Sequence, residues 1–150
     1  MQTMMTTLKR GRNVYDPINM PVAEFKARIN KVQAEMKKNN LNLLLIFGIG
    51  PDEYADACYL TNFVPMIGSN IAILTQEGKL TLIFSGSARG IEYEQATTWV
   101  EDFRPSGGDI VADCLKFLKD SQLLTPSANI GVAGFKEKMS ARHLKNLYER

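Results

Sequence analysis

Histidine occurs once in this 150-residue chain and cysteine twice, and its charges nearly cancel, 18 basic residues against 16 acidic. Each shortage excludes something. A two-metal site needs clustered carboxylates and imidazole, whereas the lone His143, between Arg142 and Leu144, reads as a solvated helix residue. A net charge of +2 with no dense lysine–arginine block gives no ground for nucleic-acid binding. The cluster Lys9, Arg10 and Arg12 falls in a polar arm and reads as solvated. Cys58 and Cys114 stand among apolar neighbours, so both are expected as reduced core thiols rather than a disulfide, as in a cytosolic protein. The first twenty residues hold no apolar run of about 7–15 residues, which argues against a secretory signal. No stretch approaches the ~20 apolar residues of a membrane span. The expectation is a soluble, cytoplasmic protein without membrane or nucleic-acid partners.

What is present is the make-up of a globular domain, 45% hydrophobic and 23% charged. One domain accounts for this length, which suffices to bury about 70% of the unfolded surface. Residues 1–20, punctuated by Pro17, read as a flexible arm and residues 21–150 as the domain. Pro21 suits a helix start, and Val22, Phe25, Ile29, Val32 and Met36 recur at helical spacing until Asn39 and Asn40 end the pattern. Residues 41–47 are apolar on both pleat faces apart from Asn42, which predicts a strand covered on both sides. Residues 71–74 and 80–84 flank a turn containing Gly78 and predict a hairpin.

Further on, Ser87 is read as the cap of a helix to about Ala96, and residues 98–103 as a strand with Trp99 and Val100 supplying bulk. Ser106 or Asp109 starts a helix facing inward with Ile110, Val111, Cys114, Leu115 and Leu118. Residues 129–132 form a short strand, and Ser140 caps a last helix with Leu144, Leu147 and Tyr148. The alternation predicts an α/β fold, a mixed sheet with a hairpin and helices on both faces. Arg150 falls in mid-pattern with neither glycine nor proline to stop the helix, which suggests an excised domain or a truncated product.

Three stretches carry a family likeness in order. Phe25 and Arg28 open the helix before Leu43-Leu44-Leu45-Ile46-Phe47; Tyr59-Leu60-Thr61-Asn62-Phe63 follows; Asn129-Ile130-Gly131-Val132 with Ser140 and Leu144 closes the series. This order resembles the N-terminal domain of the creatinase/prolidase/Xaa-Pro aminopeptidase family, with Asn62 in place of the usual glycine of a Tyr-Leu-Thr-Gly-Phe motif. The resemblance implies a ribonuclease-H-like α/β domain preceding a catalytic "pita-bread" domain. That second domain would hold two divalent metal ions (manganese, cobalt or zinc) on two aspartates, one histidine and two glutamates, none of which maps onto this chain. It further implies no catalytic or metal-ligating residue here, a homodimer, and a loop after the motif that reaches a peptide or proline-like substrate across the dimer. The matching positions include Phe63, Met66 and Ile67, with Ser69 and Asn70 where some members place a cation. Packing of Phe63 and Ile67 beneath the domain's own hairpin is the competing reading.

Two other features suggest chemistry. Asp52, Glu53 and Asp56 form a compact acidic group better read as complementing a helix dipole than as a metal site. Gly48-Ile49-Gly50-Pro51 superficially suggests a phosphate loop, but lacks a third glycine, and Pro51 has no N–H to offer. A free-standing flavodoxin-like nucleotide binder is therefore the weakest reading. Within the resembled family, a non-peptidase relative (creatinase, ectoine-type hydrolase or lyase) or a catalytically dead interaction module like certain histone-chaperone subunits stays open. In the last case Lys26, Lys31, Lys37 and Lys38 would face an acidic partner.

Overall fold

The apolar stripe after Pro21 does form a helix, α1 (Val22–Lys38), burying Phe25, Ile29 and Met36. Pro21 sits just outside it in extended geometry, a position where a missing N–H costs nothing. The structure, a computed structural model, describes residues 14–65, 67–86, 90–134, 140 and 145. The helix closes with Asn40 in left-handed geometry (φ 54°), while the Leu41 N–H donates back to the Met36 carbonyl at 2.8 Å. That bond keeps Leu41 with the helix, so the first strand, β1 (Leu43–Ile49), starts two residues later than the apolar run suggests.

A short helix, α2 (Ala55–Thr61), precedes the hairpin of β2 (Ser69–Thr75) and β3 (Leu80–Ser85). Gly78 turns the hairpin at φ 90°, packed against the amide of Gln33. Then come α3 (Ile91–Gln95), β4 (Asp102–Ser106), α4 (Ile110–Asp120) and β5 (Ile130–Ala133). Ser87, the expected cap, lies outside the described residues, as do Leu144, Leu147 and Tyr148 of the expected last helix.

The sheet order is β4-β3-β2-β1-β5, antiparallel across β1–β2 and β2–β3 and parallel across β3–β4 and β1–β5. One face, with Leu45, Phe47, Ile71 and Ile73, packs on Val111, Cys114 and Leu118 of α4. The other, with Ile46, Ala72, Leu82 and Phe84, packs on Ile29 and Met36 of α1 and Ala57 and Leu60 of α2. This is the expected mixed α/β sheet with helices on both faces.

Two local expectations are corrected. The strand expected at 98–103 begins only at Asp102, because Thr98 and Trp99 bond to the Thr61 and Leu60 carbonyls of α2 rather than to the sheet. Its Pro105 is tolerated because β4 is an edge strand. Asp109, not Ser106, caps α4, accepting from the N–H groups of Val111 (3.0 Å) and Ala112 (3.1 Å). Ser106 is the last residue of β4 and donates to Asp113 instead.

The described end of the arm is docked on the domain. The Tyr15 N–H donates to the Ala96 carbonyl at 2.9 Å, and its ring meets Phe25 edge-on at 6.1 Å. Both thiols are free, Cys114 buried and Cys58 half-buried. Burial pushes Cys114 up to about 12, and raises Cys58 against the opposing pull of Arg28. Among the described residues no helix is long and apolar enough to cross a membrane.

Candidate functional site

The stretch from Tyr59 to Asn70 contains both the most distinctive motif and the loop expected to meet a substrate. A helix leaves its last carbonyls without intrahelical partners. In α2 the closing main-chain bond comes from the C-cap, and the three carbonyls beyond it receive side-chain donors from elsewhere. The Cys58 carbonyl takes the Asn62 N–H at 2.8 Å, and the Tyr59 carbonyl takes Nη1 of Arg28 at 3.0 Å. The Leu60 carbonyl takes Nε1 of Trp99 at 2.9 Å, and the Thr61 carbonyl takes the Thr98 hydroxyl. Arg28 lies against the rings of Phe25 and Tyr59, and Phe25 stacks on Trp99 with centroids 5.5 Å apart. The motif is an anchoring knot between α1, α2 and the segment entering β4.

Asn62 occupies the left-handed region at φ 57°, ψ 9°. There a side chain with a β-carbon is costly, and asparagine is among the few tolerated replacements for glycine. Its Nδ2 also donates to the Thr97 carbonyl at 3.1 Å, a bond glycine could not make. Thr61 is fully buried, donating to the Ala57 carbonyl and accepting from the Phe63 N–H.

The residues expected to reach a substrate fall in different places. Phe63 is 1% exposed, edge-on to Phe84 (5.9 Å) and Phe103 (5.5 Å), so its ring lies in the core of this domain. Met66 lies outside the described residues. Ile67 is 85% exposed, a large apolar side chain held out to solvent. Gly68 then turns the chain at φ 86°, and a β-carbon there would come 2.9 Å from Ser85 Cβ. Its carbonyl accepts the Gly50 N–H at 2.8 Å, fixing the loop to the end of β1.

At the far end of the loop, Ser69 meets Ser85 hydroxyl to hydroxyl at 3.0 Å. Asn70 is fully buried, and neither of its side-chain amide atoms has a hydrogen-bond partner. Its amide packs against Gly48, where a β-carbon would sit 3.0 Å from Nδ2. No sequence pattern announces this orphan; Gly48 at the facing position in the register Gly48↔Asn70 is the one visible trace.

The neighbouring β1–α2 turn has no free phosphate cradle. Ile49 and Glu53 exchange main-chain bonds at 3.0 Å, the Gly50 N–H is spent on Gly68, and Pro51 has none. Asp52 and Glu53 are exposed, and Asp56 sits in the first turn of α2. Among the described residues no three His, Cys, Asp or Glu side chains gather into a possible metal site, so this part of the chain does not fit a metal pair. His143 lies outside the described residues. Lys26, Lys31, Lys37 and Lys38 are all exposed on α1, with Lys38 paired to Glu35 at 2.5 Å.

No protein-family model matches the sequence, and no curated protein does. Solved structures do match the fold. An aminopeptidase P (Xaa-Pro aminopeptidase) from Streptococcus thermophilus superposes at a TM-score of 0.58 and 18% identity, over 83% of this chain and 84% of that one. An X-Pro aminopeptidase from Thermotoga maritima gives 0.56 at 16% identity, over 81% of this chain but 30% of its own. A prolidase from Pyrococcus furiosus gives 0.54 at 15% identity, over 81% and 31%. The chain thus has the fold of the prolidase N-terminal domain and spans under a third of the longer structures it matches.

Proposed function

We propose that this chain is the non-catalytic N-terminal domain of a metal-dependent hydrolase of the Xaa-Pro aminopeptidase or dipeptidase kind, acting in the cytoplasm as a homodimer. The observation that carries the reading is the superposition on Xaa-Pro aminopeptidases and a prolidase over about four fifths of the chain. Hydrolysis would belong to a following domain carrying the two divalent metal ions, manganese, cobalt or zinc. The present domain contributes association between subunits and the shape of the substrate entrance. Within it, the knot around Arg28 and Trp99 holds the base of the 62–70 loop rigid. Phe63 anchors that loop from inside, and Ile67 is the apolar side chain offered to a small peptide or proline-like substrate.

The test is hydrolysis of Xaa-Pro dipeptides by the protein translated from the whole reading frame, supplied with manganese. Turnover is expected, and Ile67→Asp should raise KM more than it lowers kcat. A frame encoding no Asp, Asp, His, Glu, Glu set after Arg150 would overturn the hydrolase reading. Activity on other amides but none on Xaa-Pro bonds would move the chain to a non-peptidase relative.

A further inference from the structure

The two edges of the sheet differ in what they offer another strand. Along a strand, the main-chain N–H and C=O of successive residues point to opposite sides within the sheet plane. On β4 the Ser106 carbonyl accepts the Gly86 N–H at 3.0 Å, so Asp102, Arg104 and Ser106 face β3, and Phe103 and Pro105 face outward. That outer edge has no free N–H. The Phe103 N–H closes onto the Glu101 carbonyl at 3.1 Å, and Pro105 has none. Such an edge is closed to pairing.

β5 is the opposite. The Asn129 carbonyl accepts the Leu43 N–H at 3.3 Å, so Asn129, Gly131 and Ala133 face β1. Ile130 and Val132 turn their N–H and C=O groups outward, where no strand or loop among the described residues bonds to them. Val132 is also 38% exposed, an apolar side chain beside that open edge.

Two copies fit one another here and nowhere else along the sheet. Pairing β5 onto β4 of a second copy would build an open fibre, and the closed β4 edge forbids it. Pairing β5 onto itself is isologous and stops at two copies. The outward residues stand two apart with a glycine between them. An antiparallel copy therefore sets Gly131 against the partner's Gly131 on the two-fold axis. Ile130 then lies opposite the partner's Val132, each flanking pair exchanging both of its N–H···O bonds, with Val132 packed beside the partner's Ile130. We propose that this chain dimerises by antiparallel pairing of β5 with β5 of a second copy, joining the two five-stranded sheets into one. This gives the homodimer proposed above a surface, and it does not need the hydrolase reading because it concerns this domain alone.

Light scattering of the 150-residue chain over a concentration series should show a dimer fraction that rises with concentration. In a mixture of ¹³C-labelled and unlabelled chain, an isotope-filtered NOE between the Gly131 Hα atoms of the two copies reads the register. The Ile130 and Val132 amides should exchange more slowly as concentration rises. Val132→Pro removes an outward N–H without touching the ladder to β1, and Val132→Lys keeps the backbone whole but charges the edge. Each should weaken dimerisation by about tenfold or more while the melting temperature of the dilute chain stays put. A chain that is still monomeric at about 1 mM overturns the proposal. So does a dimer indifferent to both substitutions, or an NOE that places another surface at the contact. Protection of the two amides that is independent of concentration also overturns it, since a strand of the same chain then holds the edge. Xaa-Pro turnover is measured apart from all of these, so the two readings fail separately.

Discussion

At one end of the 62–70 loop the polar groups are satisfied; at the other a buried amide is not. The α2 terminus gives its three open carbonyls to Arg28, Trp99 and Thr98, whereas Asn70 keeps both side-chain amide atoms unpaired in the core. A buried polar group without a partner costs about 1–3 kcal/mol, so the two ends differ in what they do for stability. The knot is where the domain gains rigidity. The Ile67–Asn70 end holds an exposed isoleucine and an orphan amide, and neither contributes to holding the fold together.

Substitutions can break or sharpen that contrast. Phe63→Ala empties a fully enclosed aromatic position at the knot side and should cost about 3–5 kcal/mol in denaturant unfolding. A loss under ~1 kcal/mol would mean that Phe63 does not anchor the loop. Trp99→Phe keeps the stack on Phe25 but strips the donor from the Leu60 carbonyl, with an expected loss of about 1–3 kcal/mol. Asn62→Ala puts a residue that tolerates left-handed backbone less well than asparagine at φ 57° and removes the bond to Thr97, costing about 1–2 kcal/mol. Asn62→Gly, measured alongside, should cost visibly less.

On the other side of the comparison, Asn70→Leu preserves the branching and deletes the orphan amide, so stability should hold or rise by up to about 1 kcal/mol. A clear fall would show that the amide has found a partner and that the two ends are alike. Ile67→Ser should be smallest, within about 0.5 kcal/mol in the same assay.

Much of this was legible in the chain. The spacing of Phe25, Ile29 and Met36 declares α1 because burial of one stripe at helical period leaves few alternatives. The hairpin around Gly78 and the inner face of α4 follow from equally local signals. The family likeness in the Tyr59–Phe63 motif agrees with the fold that the superpositions find. Asn62 was visible as a departure from glycine, and left-handed geometry explains why the departure is allowed. Elsewhere local pattern misled. Trp99 and Val100 have the bulk of strand residues, yet bonds from Thr98 and Trp99 to α2 hold that segment off the sheet, and β4 starts at Asp102. Leu41 is as apolar as the strand after it, but a helix-closing bond claims its N–H.

The candidate site was harder to read because the roles of Phe63 and Ile67 differ only in direction. Both are large and apolar, and the sequence left open whether they pack under the hairpin or face a substrate. Phe63 turns inward onto Phe84 and Phe103, and Ile67, four residues on, turns outward. Arg28 was marked only as part of the family likeness and Thr98 only as a strand residue until their partners, 31 and 37 positions away in the chain, were in place.

Taken alone, the chain determined its secondary-structure periods, its turn positions and the placing of apolar residues, because these depend on neighbours a few residues away. Only the tertiary structure decided which helix carbonyls are capped, which aromatic ring is buried, and which edge of the sheet stays open. Those outcomes depend on contacts between distant segments, and no local pattern encodes the direction in which a side chain will meet them.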